Sequence, residues 1–200
     1  MRNCLSTSID SSSCNQRRDQ PALATLDAIV KAYVRDCRPG LEAHLRSFAD
    51  EPTLQSALLR AALAQTPDGK RYSHQYRIKK TVLQAVHRRL LGLDLLGLRC
   101  FEELHDVIDQ VIGTIFGAGE LLVYDTSLRI GAKLDLLPDR VYLHRGARRG
   151  ARALGLRWKK RSISVEELPE PLRSLRPHEI EDCLCIFKSQ LWSLGRARTL

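Results

Sequence analysis

Residues 104–134 read LHDVIDQVIGTIFGAGELLVYDTSLRIGAKL, and this stretch decides the fold. Leu104, Val107, Ile108, Val111 and Ile112 recur at helical spacing, so an amphipathic helix is predicted here. Gly113 to Gly119 interrupts it, and a second helix is predicted from Glu120 to Leu134. Between the two lies Ile115-Phe-Gly-Ala-Gly119, the h-x-G-h-G pattern of a helix-hairpin-helix. Gly117 and Gly119 permit backbone conformations closed to other residues and let a phosphate approach closely. The helix after them would offer that phosphate its unpaired N–H groups and positive dipole end. Glu120 puts a negative charge at the same point, which suits the helix start but opposes a phosphate. A plain loop closing a helical hairpin has the same pattern.

The flanking chain repeats the helical period. Leu23, Leu26, Val30, Tyr33 and Val34 predict a helix that Pro39-Gly40 stops. Residues 41–48 predict a short helix, and Thr53 caps another through Leu58 and Leu63. Ile78, Val82, Val86 and Leu90 mark the apolar face of a further helix. Its polar face carries Arg77, Lys79, Lys80, Arg88 and Arg89, a solvated face or one lying beside phosphates. Residues 141–156 and 178–194 are also predicted helical, and no period-2 strand is found. The fold class expected is all-α, with residues 1–20 a polar, disordered tail and residues 21–200 a helical region, one domain or two subdomains sharing a cleft.

Composition points to the partner. The net charge is +9 and the hydrophobic fraction 44%, enough for a core and favourable to phosphate-rich partners. Between residues 140 and 161 stand nine Lys or Arg and no acid, equal to the whole net excess. Arg145, Arg148, Arg149 and Arg152 would cover one side of a helix, while Gly146 and Gly150 would let it pack or meet a backbone closely. Binding through such a cluster is strongly salt-dependent. No apolar run reaches the ~18 residues of a membrane span, and no signal-peptide core is seen. A cytoplasmic monomer with reduced thiols is expected. The six cysteines make no CxxC pair, so no metal or other cofactor is expected.

In the order of its parts the chain resembles the helix-hairpin-helix base-excision DNA glycosylases over roughly residues 75–190. The hairpin Gly117-Ala-Gly119 is followed by Val141-Tyr-Leu-His144, an Arg-rich segment and Ala153-Leu-Gly155, similar to that family's Val-Asp-Thr-His loop and Arg-rich helix ending in Leu-Gly. His178 and Cys183 are similar in spacing to its His-Gly-Arg-x-x-Cys segment. The resemblance implies an all-α glycosylase-like fold, DNA as partner, and base excision for repair or against modified phage DNA. A base would be flipped into a pocket and its N-glycosidic bond hydrolysed. Tyr142 stands where the family's catalytic Asp is expected, and Leu121 where bifunctional members carry lysine, so no lyase step is implied. The family's iron–sulfur cysteines are absent.

A glycosylase needs a carboxylate to stabilise the developing sugar cation or to orient water. Three acids stand in the right neighbourhood. Asp139 has the spacing, or is a turn or cap residue. Asp125 sits among mainly apolar neighbours, and if buried needs a partner or carries a raised pKa. Glu120 stands at the helix start, as a catalytic group or a helix-terminal charge. Tyr142 and His144 line the base pocket or pack in the core, and Trp158 and Trp192 are expected to pack. The alternative is a helix-hairpin-helix DNA-binding protein without catalysis.

Overall fold

The computed structural model describes residues 25–197, and the proposed tail at 1–20 lies outside them. The chain is mostly helical. Among the described residues α1 (Leu26–Asp36), α2 (Arg38–Ala49), α3 (Leu54–Leu63), α4 (Lys80–Leu90), α5 (Phe101–Ile112) and α6 (Glu120–Leu134) come first. After them come β1 (Val141–Tyr142), α7 (Arg145–Ala153), β2 (Ser162–Ile163), α8 (Pro177–Ile186) and α9 (Lys188–Ala197).

Local chemistry sets several of these limits. The Thr25 hydroxyl accepts a hydrogen bond from the Ala28 N–H at 3.1 Å and starts α1. Thr53 and Ser56 form a reciprocal capping box at the start of α3, and Ala64, at φ 54°, ends it. Pro39 does stop α1, but it does so from the first turn of α2, where its missing N–H costs nothing. The short helix predicted over residues 41–48 therefore begins earlier, at Arg38.

Two apolar cores organise the helices. One is built by α3, α4, α5 and α6, with Leu83, Val86 and Leu90 of α4 and Leu104, Ile108 and Ile112 of α5 fully buried. Each such side chain contributes roughly 1.5–3 kcal/mol. The other joins α1 to α7, α8 and α9, through Ile29, Tyr33, Ala147, Ala151, Leu184 and Leu191. A smaller cluster of Leu45, Phe101, Tyr124, Leu128 and Tyr142 bridges them. Helix α6 is central and packs against α2, α3 and α5. It is buried on several sides, from Leu122 through Gly131, which explains why its sequence is less amphipathic than that of α5.

Two predicted helices are corrected. Residues 141–156 do not form one helix. Val141 and Tyr142 pair antiparallel with Ile163 and Ser162, so a two-residue ladder exists where no strand was expected. Helix α7 begins only at Arg145, after His144 in extended conformation. The segment 178–194 is likewise two helices, with the turn at Phe187. No helix among the described residues is long and apolar enough to cross a membrane.

Candidate nucleic-acid interface and adjoining cleft

The hairpin between α5 and α6 has the burial its pattern requires. Ile115 is half-buried and Ala118 is buried, while Gly117 and Gly119 are exposed. Gly117 adopts φ +95°, a conformation L side chains rarely take, and the Ala118 N–H donates to the Ile115 carbonyl at 2.8 Å. Gly119 is the N-cap of α6 and has no side chain to cap the first turn, in which the Leu122 N–H donates to the Gly119 carbonyl at 2.8 Å. Phe116 projects from the tip and is 100% exposed. Gly117 rests against Val82, which brings the start of α4, with exposed Lys79 and Lys80, beside the hairpin.

Helix α7 meets the hairpin from the other core. Arg148 donates to the Glu120 carboxylate, so the charge that opposed a phosphate at the start of α6 is offset within the protein. That pairing also removes Arg148 from the set of uncommitted cations. Arg145, Arg149 and Arg152 remain exposed on the outer face. The inner face carries Ala147, Gly150 and Ala151, packed on α8. A Cβ on Gly146 would collide with Cys185 Sγ, and one on Gly150 with the Leu184 carbonyl. The close approach these glycines permit is thus to α8.

Other charges of the basic stretch are partly engaged. Arg161 pairs with Asp106 at 2.6 Å and also contacts His105. Arg157 and Lys160 share Glu167 at 3.7 and 3.6 Å. Beyond α7, Arg149, Arg152, Lys188 and Trp192 line a groove of about 520 Å³. The Arg152 guanidinium lies 5.3 Å from the Trp158 ring and 5.8 Å from that of Trp192, which is 46% exposed. Reading Trp192 as packing alone misses this groove, and a tryptophan near helical arginines was the signal for it.

A cleft of about 280 Å³ opens between α5, α6, β1 and α7. It brings together four of the predicted site residues, Glu120, Tyr142, His144 and Arg148. Tyr142 is mostly buried and stacks on His105 with centroids 4.7 Å apart, with the Phe101 ring edge-on at 5.2 Å. Burial pushes its phenol up to about 12. Burial, followed by the neighbouring Arg161 charge, lowers His105 to about 4, so this ring is neutral near pH 7. His144 is buried against Glu181 of α8. Burial favours its neutral form, but the Glu181 carboxylate outweighs that and leaves the imidazole above its usual value.

The remaining acids lie elsewhere. Asp139 is exposed in the bend before β1 and does not line the cleft. Asp125 is largely buried, and it has partners. His74 Nε2 lies 2.9 Å from its carboxylate, Gln75 Nε2 donates at 2.8 Å, and Arg129 Nη2 is 3.7 Å away. Burial raises an isolated carboxyl, but His74 and Arg129 overcome this and hold Asp125 down to about 2. Arg129 itself is buried, with its guanidinium 4.4 Å from the Tyr72 ring centroid. Sequence reasoning missed His74, Gln75 and Arg129 as partners, and missed Glu181 and Asp182 on α8. Burial, then the adjacent Glu181 charge, raises Asp182 to about 8. His178 and Cys183 are buried packing residues of the α8 core. No protein-family model, curated protein or solved structure matches this chain.

Proposed function

We propose that the protein binds DNA through the hairpin and α7 and hydrolyses the N-glycosidic bond of a modified base flipped into the cleft. The observation that carries this reading is the cleft itself. It opens beside the hairpin and gathers Glu120, Tyr142, His144 and Arg148 from three separate elements. The exposed Gly117 and Gly119 and the first turn of α6 hold one phosphate, and Arg145, Arg149 and Arg152 neutralise its neighbours. The base lies against the edges of Tyr142 and His144. Glu120, held by Arg148, faces the sugar and stabilises its developing positive charge. Asp125 is the second candidate carboxylate, five residues further along α6, outside the residues that line the cleft, and ionised near neutral pH.

A non-catalytic DNA-binding role is the second reading, favoured by Tyr142. It stands where an acid would be expected and is committed to stacking on His105. One experiment separates the two. Duplexes carrying assorted modified bases are incubated with the protein and treated with alkali to cleave abasic sites. Excision predicts cleavage on at least one substrate, lost in Glu120→Gln while DNA affinity is kept. No cleavage on any duplex, with binding intact, leaves the non-catalytic reading. DNA association that does not respond to salt overturns both.

A further inference from the structure

We infer that His144, Glu181 and Cys185 form a binding site for one zinc-like divalent ion. Their donor atoms, an imidazole nitrogen, a carboxylate oxygen and a thiol sulfur, lie within 4.8 Å of one another. Glu181 and Cys185 are four residues apart on α8 and so share one face of it. His144 is the extended N-cap residue of α7, and its ring contacts Glu181 rather than following the arginine face. The backbone is shaped for the sulfur, because any side chain at Gly146 would occupy the place of Cys185 Sγ.

The donor set selects the ion. Nitrogen, oxygen and sulfur together suit zinc, whereas magnesium and calcium take oxygen ligands. Zinc bonds of about 2.0–2.3 Å place tetrahedral ligand atoms roughly 3.3–3.7 Å apart. His144 and Glu181 are closer than this and must part slightly, while the widest pair must close by about 1 Å. Side-chain rotation supplies both movements. His144 also lines the cleft, and a zinc-like ion held by three protein groups keeps a fourth position for a water or another ligand. Glu181 supplies the carboxylate of the set, and the Lys188 ammonium donates to the Cys185 carbonyl at 2.8 Å rather than to a ligand atom. Of the cations that line the cleft, Arg148 is paired with Glu120 and Arg161 with Asp106, and Lys159 stands beside them. This inference does not depend on any reading of the cleft as a DNA-processing site.

The test uses the full chain, stripped with chelator, in a background where Cys4, Cys14 and Cys100 are serine. Titration with Co2+ is expected to give a thiolate-to-cobalt charge-transfer band that saturates at one equivalent. The band disappears in Cys185→Ser, and Glu181→Gln weakens cobalt binding by about 10-fold or more. Where a variant does not fold, the unaltered protein answers the question by alkylation and peptide mapping. Zinc at ten times its Kd leaves about a tenth of the site free, so Cys185 labelling falls about tenfold while Cys37 and Cys183 are unaffected. Absence of the band in the parent chain, a band that survives Cys185→Ser, or Cys185 labelling unchanged by zinc overturns the inference.

Discussion

Asp125 shows what one buried charge demands. Its sequence neighbours, Val123, Tyr124 and Thr126, marked it as an aspartate that would need a partner or a raised pKa. The partner won, and the shift is downward. His74 and Gln75 lie some fifty residues away, so no local pattern could name them. Asp125→Asn leaves the Arg129 guanidinium buried without its carboxylate, and is expected to cost about 3–5 kcal/mol in urea unfolding. The pH dependence follows from the sign of the shift. With a folded pKa of about 2 against roughly 4 in the unfolded chain, the Asp125 contribution is fully present above pH 4. It is lost as pH falls from 4 through 2. The asparagine variant should lack that part of the acid slope, and an identical slope would show that the charge is not held as described.

At the scale of elements, α6 was legible because its signals are local. Two glycines precede it, an acid opens it, and apolar residues recur along it to Leu134. The boundary of α7 was not legible, because it depends on β1 pairing with Ile163, some twenty residues later in the chain. The break between α8 and α9 falls at Phe187, with no glycine or proline to announce it. The metal-type cluster was hidden for the same reason, its residues divided between 144 and α8. Two glycines of equal appearance in the sequence now part company. Gly150→Ala drives a methyl group into the Leu184 carbonyl and should lower stability by about 1–3 kcal/mol. A Cβ at Gly119 meets nothing within 4 Å. Gly119→Ala should therefore melt within a few degrees of the parent, while its DNA affinity falls if this cap receives a phosphate. Thermal melts alongside a binding isotherm check both.

For the whole molecule, charge and protonation set the conditions under which it works. Exposed Arg145, Arg149 and Arg152 have no intramolecular carboxylate partner among the described residues, unlike Arg148 and Arg161. If each meets one phosphate, replacing all three by alanine should flatten the slope of log K against log salt by about 2.7. A fluorescence-anisotropy salt titration measures it, and an unchanged slope places the DNA elsewhere. Burial lowers His44 to about 3, and His105 and His178 to about 4, in each case below the unfolded value near 6.5. Unfolding below pH 6.5 therefore takes up protons at these three histidines. Asp182 and His144, raised in the folded state, release protons and oppose this. The three histidines outweigh them, so the urea midpoint should be lower at pH 5 than at pH 7. The layout of the two cores carries one more consequence. The core that holds α1 is completed only by residues from Val141 onward, and the other core is made entirely between them. During synthesis at about 5–20 residues per second, roughly a hundred residues must emerge before α1 meets its partners, a wait of about 5–20 s. The inner core can form on the ribosome in that interval, while the apolar face of α1 stays uncovered. Nascent chains arrested before β1 should thus be the form on which a chaperone acts.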